Sequence, residues 1–300
     1  MNFSFWLGNH SKLGQRSLED VIGIFGHGLR ALGHQAVWDE ANDKFLTAEA
    51  GYNVIVEGFN DEVTAFLAQY HAAGARFLCI ATEEPTEKGF NHGTQAEMTR
   101  RQRDFPAAAK YIDGIFHLVP GDEVTRWYSQ FAPSAPAELG YAPTLVRRET
   151  APAPEYDFGF YGTMSKRRQT LLRRLAKKIG TQKAVRVVPN FAPQVERDAI
   201  MQSAKVIVQI RKFNEMGLVS SSRCNTALCL GRPVVAEPHA LSHPWDEVIK
   251  FADTDEEFLD LAVVTRAAWR GVHAAQFDKF KAKFSPEVCV GRALHQVGLA

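Results

Sequence analysis

Apolar and polar positions alternate along this chain in the pattern of successive strands and helices. Residues 2–7 form a short apolar run of strand length, and residues 9–15 read as a polar loop containing Gly14. Leu18, Val21, Ile22, Phe25, Leu29 and Leu32 then recur at three- and four-residue intervals, which places them on one face of a helix. Ser17, with Asp20 three residues on, is the expected N-cap, and Gly33 the expected stop. Further strands are predicted at 35–38, 53–56, 77–81 and 114–118, with helical patterns at 63–73 and 122–131.

The alternation breaks at Ala132-Pro133-Ser134-Ala135-Pro136, Pro143 and Ala151-Pro152-Ala153-Pro154, because proline at this density resists both helix and sheet. This stretch reads as a linker, with a boundary at 148–155 and domains of 1–150 and 151–300. Beyond it strands are expected at 158–161, 185–188, 206–210 and 233–236, helices at 166–179, 194–203 and 222–230, and helical sequence from 256 onward. Strands alternating with helices in both halves imply an α/β chain with two parallel sheets, each covered by helices. In such sheets ligands bind at the carboxyl ends of the strands, so the expected site is a cleft between the halves.

Composition narrows the partners. Thirty-five Lys and Arg against 34 Asp and Glu leave a net charge of +1. That gives no global field for nucleic acid or a membrane surface, so no nucleic-acid partner and at most peripheral membrane contact is expected. Cys79, Cys224, Cys229 and Cys289 are too scattered for a disulfide framework and read as reduced thiols. The opening residues lack a signal-peptide pattern, and no apolar run approaches the ~20 residues that span a bilayer. The expectation is a cytoplasmic protein.

Two segments carry phosphate chemistry. Tyr161-Gly162-Thr163-Met164-Ser165-Lys166-Arg167-Arg168 sets a glycine at a strand end, hydroxyls in the turn and cations at a helix start. Glycine allows close approach to the backbone, the first-turn N–H groups favour an anion, and Arg offers a fork to phosphate. The same cations also fit a solvated helix face continued by Arg173, Arg174, Lys177 and Lys178. The second segment runs from Gln209 through Arg211, Lys212 and Glu215 to Ser220-Ser221-Ser222-Arg223. Here Arg211 or Lys212 could balance a leaving phosphate and Glu215 could accept from a sugar; a Ser N-cap and a surface ion pair are the alternative.

Phe160-Tyr161-Gly162-Thr163, Lys166-Arg167-Arg168 and Leu171-Leu172 resemble the start of the C-terminal domain in CgeB-type glycosyltransferases of the GT-B fold. So does Arg223, Leu228 and Gly231-Arg232-Pro233-Val234-Val235-Ala236-Glu237, following Glu215-x-Gly217. In the first half, Leu29-x-x-Leu32-Gly33-His34-Gln35-Ala36-Val37 is similar to the helix-Gly-His-strand entry of GT-B N-terminal domains. The resemblance implies two Rossmann-like domains facing across a cleft, the acceptor on the first and a nucleotide-sugar donor on the second. It further implies transfer of a sugar to a glycan, lipid-linked or protein acceptor, with no catalytic metal and no cofactor. The donor-binding candidates are Gly162, Thr163, Arg167, Asn190, Glu215, Ser221, Ser222 and Arg223, with Arg211 placed at the leaving group. Two positions depart from the family: Arg223 stands eight residues beyond Glu215, where retaining enzymes carry a second glutamate, and Ser220 replaces an acidic residue frequent in CgeB-type sequences. Retention and inversion both stay open, as do a catalytically inactive binding protein and a nucleotide-sugar epimerase.

An inverting enzyme needs a group to take the acceptor's proton. His10, after the first strand, and Glu83 and Glu84, after the strand ending at Ala81, are the candidates; a loop glutamate can equally be a cap or a solvated charge. No D-x-D motif is present, and His239 and His243 are flanked by prolines and read as structural or solvated. Gly26-His27-Gly28 lies within a helical pattern and lacks dinucleotide-binding spacing.

Overall fold

A computed structural model describes residues 1–38, 51–86, 89–90, 95–143, 146, 153–181, 183–189, 192–212, 220–237 and 244–299. The chain forms two compact units, Met1–Gly140 with Ser285–Ala300, and Tyr141–Phe284. The chain passes from the first unit to the second at 140/141, ahead of the 148–155 segment, and returns to the first for its last residues.

The first unit is built on β1 (Asn2–Trp6), β2 (Gln35–Trp38), β3 (Tyr52–Val56), β4 (Phe77–Ala81), β7 (Gly114–His117) and β8 (Ser134–Pro136). They form one sheet in the order β2-β1-β3-β4-β7-β8, parallel throughout. The two central strands β3 and β4 are buried at every residue, which is why they read as continuous apolar runs. A two-stranded antiparallel pair, β5 (Pro85–Thr86) and β6 (Gly89–Phe90), follows β4. Helices α1 (Lys12–Ala31), α2 (Asp61–Ala72), α3 (Gln95–Ala109) and α4 (Asp122–Tyr128) complete the main body.

Three elements differ from expectation. Helix α1 begins at Lys12, not after Ser17: the Ser11 hydroxyl caps it by accepting from the Gly14 N–H at 3.2 Å, while Ser17 donates to the Gly14 carbonyl at 2.6 Å. Helix α3 carries three arginines and an internal Pro106, which hide its apolar side; Phe105, Ala108 and Ala109 are nonetheless buried. The Pro133–Pro136 stretch is not linker: β8 closes the sheet edge, where proline costs no ladder hydrogen bond. The returning C-terminal residues pack through Val290 against Gly28 of α1, where a β-carbon would come within 2.5 Å of a Val290 methyl.

The second unit has β9 (Tyr156–Phe160), β10 (Val185–Val187), β11 (Ala204–Gln209), β12 (Val234–Ala236) and β13 (Lys250–Phe251), all parallel in the order β10-β9-β11-β12-β13. Helices α5 (Lys166–Ile179), α6 (Gln194–Gln202), α7 (Ser221–Cys229), α8 (Asp255–Ala267) and α9 (Trp269–Lys283) surround it, and α10 (Arg292–Gln296) lies in the returning segment. Its core joins Phe158 and Phe160 of β9 to Leu171, Leu172 and Leu175 of α5 and to Phe258 and Leu259 of α8. Burying such side chains contributes about 2 kcal/mol each, which fixes α5 and hence the turn before it. All four cysteines are free and buried.

Candidate functional sites

In the second unit the carboxyl ends of β9, β11 and β12 gather the charged groups. Gly162, just past β9, has φ +142°, a conformation that L side chains rarely adopt, and a β-carbon there would lie 3.1 Å from Arg223 Cζ and 3.4 Å from Arg168 Nη1. Two guanidinium groups thus meet at one turn. Arg168 is 4% exposed; its Nε donates to the Ile210 carbonyl at 2.8 Å and its Nη1 to the Thr163 carbonyl at 2.5 Å. Arg223, from the first turn of α7, reaches Gln209 Oε1 at 3.5 Å and sits 5.8 Å from the centre of the Tyr161 ring. Among the described residues neither arginine has a carboxylate at ion-pair distance. Burial and, behind it, the Arg223 charge push Arg168 down to about 10, and burial lowers Arg223 too. Gln209 Nε2, buried beside them, has no hydrogen-bond partner among the described residues. Two cations without a carboxylate, and a donor without a hydrogen-bond partner, among the described residues make this glycine turn suited to an anion.

Arg167 and Arg211 are engaged elsewhere. Both converge on Glu237, which directly follows β12 and is 2% exposed: Arg167 Nη2 donates to its Oε2, and the Arg211 N–H donates to its Oε1, with Arg211 Nε at 3.4 Å. Arg167 also donates to Asp255 at 2.9 Å. Burial raises the Glu237 carboxyl despite these cations. The cluster ties the ends of β11 and β12 and the first turn of α5 to α8. Ser165 caps α5 by accepting from the Arg168 N–H at 3.3 Å, and its hydroxyl donates to the Lys212 carbonyl at 2.9 Å. Thr163 is exposed, Ser221 is buried, and Ser222 stands 3.3 Å from the Ser220 hydroxyl in the first turn of α7. Asn190 and Glu215, like His239 and His243, lie outside the described residues.

Sequence reasoning named Arg167 and Arg223; the structure pairs Arg223 with Arg168 instead. The signal was present, since Arg168 shares its helical face with Leu171, Leu172 and Leu175, the inward side of α5.

In the first unit a cavity of about 390 Å³ opens at the carboxyl edge of the sheet. Asn9 and His10 reach it from the segment after β1, Glu57 and Gly58 from the end of β3, and Thr82 and Glu83 from the end of β4. Phe59, Phe90 and Phe105 form an apolar wall, with Phe105 ring centroids 5.6 Å from Phe59 and 5.8 Å from Phe90. The His10 ring is within 3.2 Å of the Val56 carbonyl, and Gly58, at φ +141°, leaves it room: a β-carbon there would stand 2.6 Å from His10 Cε1. Burial lowers the His10 pKa. Glu83 is paired with Arg101 at 2.5 Å. Glu84 does not line the cavity.

The residue that sequence reading missed is Glu57. It is 7% exposed, accepts from the Thr82 hydroxyl at 3.1 Å and from the Tyr128 hydroxyl at 3.4 Å, and burial together with the nearby Glu83 charge pushes it up to about 8. Tyr128 also donates to the Glu83 carbonyl at 3.0 Å, so its hydroxyl links Glu57 to the Glu83 backbone, and its ring stacks on His117. An acid directly after a continuous apolar strand and before a glycine was the available signal.

No family model matches the sequence, and no curated protein is similar to it. Solved structures are. A S. aureus TarM variant in complex with fondaparinux, alpha-GlcNAc-glycerol and UDP superposes with a TM-score of 0.52 at 11% identity, over 85% of this chain and 56% of that one. The apo structure of OtsA gives 0.51 at 9% identity, covering 96% of this chain and 78% of that one. A UDP-forming α,α-trehalose-phosphate synthase from Burkholderia xenovorans in complex with glucose-6-phosphate gives 0.52 at 9%, covering 82% and 73%. These neighbours are GT-B glycosyltransferases, and the likeness shows an α/β fold of that class with two parallel sheets. The chain spans little more than half the length of TarM. Among the described residues no helix is long and apolar enough to cross a membrane.

Proposed function

We propose that this chain transfers a glycosyl group from a nucleotide-diphosphate sugar to an acceptor hydroxyl, as the CgeB-type resemblance of its second half suggests. The observation that carries the reading is the meeting of Arg168 and Arg223 at the Gly162 turn without a carboxylate among the described residues. Cations held in place before the ligand arrives stabilise charge that builds during bond breaking, with little reorganisation. In the reaction the acceptor oxygen bonds to the anomeric carbon while the bond from that carbon to the phosphate oxygen breaks. The electron pair leaves on the diphosphate, where the two guanidinium groups and the amino ends of α5 and α7 offset it. No metal is needed in this scheme. The acceptor's proton passes to a carboxylate of the first unit, and Glu57, acting in its ionised form with a raised proton affinity, is our choice over Glu83, Glu84 and His10. Free buried thiols suit a reducing, cytoplasmic setting.

The test is melting and turnover with UDP-, GDP- and ADP-sugars. Nucleoside diphosphates should raise the melting temperature of the wild type and not of Arg223→Gln, and slow hydrolysis of one nucleotide sugar should accompany this. Absence of stabilisation by every nucleotide would sink the proposal. Stabilisation without hydrolysis or transfer would point to the binding protein, and an isomerised donor without acceptor to the epimerase.

A further inference from the structure

The near-neutral chain is unevenly charged between its two units. Tyr141–Phe284 carries 23 Lys and Arg against 15 Asp and Glu, a net +8, while Met1–Gly140 with Ser285–Ala300 carries 12 against 19, a net −7. The overall +1 thus conceals one strongly basic unit, and such a unit attracts extended anions whatever the balance of the whole chain.

Helix α5 concentrates this excess: seven of its 14 residues are Lys or Arg and none is acidic. Its sides differ in what they meet. Arg168, Leu171, Leu172 and Leu175 face inward and are buried. On one flank Arg167, Arg174 and Lys178 meet Asp255, Glu256 and Asp260 of α8. Opposite the core, Lys166, Arg173 and Lys177 recur at intervals of seven and four residues, which sets them within about 40° of one another round the helix. All three are exposed, as are Gln169 and Thr170 between them, and among the described residues no carboxylate stands at ion-pair distance from any of the three. At 1.5 Å rise per residue the row is about 16 Å long.

Shape selects the kind of anion. A helix ~10–12 Å across fills the ~12 Å major groove of DNA only when both its flanks are free, and α8 is tied along one flank of α5. Single-stranded nucleic acid is held largely by stacking on aromatic rings, and the outward side of α5 has none. A planar surface asks only for a straight row of cations facing away from the core. Each cation near an anionic leaflet favours the bound state about fivefold, so three together act on the order of a hundredfold.

We infer that Lys166, Arg173 and Lys177 of α5 dock the chain on an anionic lipid surface, as a reversible peripheral contact. This does not depend on the glycosyl-transfer reading.

The experiment is co-sedimentation of the full chain with vesicles of phosphatidylcholine alone or with one-third phosphatidylglycerol, at ~0.1 M and ~1 M salt, where the screening length falls from ~10 Å to ~3 Å. The wild type should sediment with the anionic vesicles at the lower salt only, and with the neutral ones at neither. Replacing all three together, Lys166→Gln, Arg173→Gln and Lys177→Gln, should weaken the binding on the order of a hundredfold. Lys183→Gln, Lys250→Gln and Lys279→Gln remove the same charge from exposed positions elsewhere in the unit and should cost far less. The lipid and salt dependence of the wild type tests the inference without any variant. Absence of binding to anionic vesicles, equal binding to neutral ones, binding that survives ~1 M salt, or equal losses in the two triple variants would overturn it. Tighter binding to duplex DNA than to anionic vesicles would also overturn it and point to nucleic acid. Salt-sensitive self-association that the first triple variant abolishes would overturn it in favour of the acidic unit of a second copy.

Discussion

Replacing Glu57 by Gln tests whether the floor of the first-unit cavity holds a proton. The side chains are of nearly equal volume, and glutamine can still accept from Thr82 and meet the Tyr128 hydroxyl, so the change removes an ionisation and little else. The folded carboxyl is raised from 4.5 to about 8 by burial first and the Glu83 charge second. Between those two values the folded chain keeps a proton that the unfolded chain has released. This contribution to stability is therefore full below about 4.5, declines by up to ~1.4 kcal/mol per pH unit through the window, and is lost above about 8. Linkage puts the difference between pH 5 and pH 9 on the order of 4 kcal/mol for the wild type. Urea unfolding at pH 5, 7 and 9, with hydrogen exchange of the β3 and β4 amides reading the first unit separately, measures it. Glu57→Gln should show a flatter profile and overtake the wild type at alkaline pH. Parallel profiles for the two proteins would refute the buried carboxyl of raised proton affinity, and with it the ground for choosing Glu57, in its ionised form, as the proton acceptor.

Other substitutions probe the second unit. Arg223→Gln relieves the repulsion on Arg168, so stability should hold or rise while nucleoside-diphosphate affinity falls at least tenfold by calorimetric titration; equal affinity would remove Arg223 from the site. Gly162→Ala forces a side chain into φ +142° and against the Arg223 guanidinium, and should cost about 1–3 kcal/mol in urea unfolding together with nucleotide binding; a neutral outcome would contradict the geometry of the turn. Glu237→Gln strips the buried partner from Arg167 and Arg211. Because Arg167 keeps Asp255, the expected loss is near the low end of the ~3–5 kcal/mol typical of a broken buried pair, and a loss under about 1 kcal/mol would show that the cluster does not hold the strand ends together.

How much of this was legible in the residues varies from element to element. Helix α5 matches its predicted span, 166–179, because Ser165, the leucine stripe and Gly180 mark its start, face and end within one short window. The start of α1 moved from Ser17 to Ser11 because its first turns bury little, so no apolar spacing announces them. β8 hides behind its prolines, since an edge strand has only one neighbour to satisfy and proline's missing N–H is tolerated there. Of the candidate residues, Gly162 and Arg223 come from two separate segments that the structure brings to one turn, where Arg168 rather than Arg167 stands beside them, and Glu57 lay unread between an apolar strand and a glycine.

The sequence by itself determined the alternation of strands and helices, the parallel sheets and the two phosphate-suited turns, because periodicity and turn chemistry are local and act within a few residues. Which arginines lack a carboxylate among the described residues, and which acid is buried deeply enough to raise its hold on a proton, were decided only by tertiary structure. Charge pairing and desolvation depend on groups far apart in the chain: Arg167 meets Glu237 across 70 residues, and Glu57 meets Tyr128 across 71. No local pattern records such meetings, and the chemistry proposed for this chain depends on them.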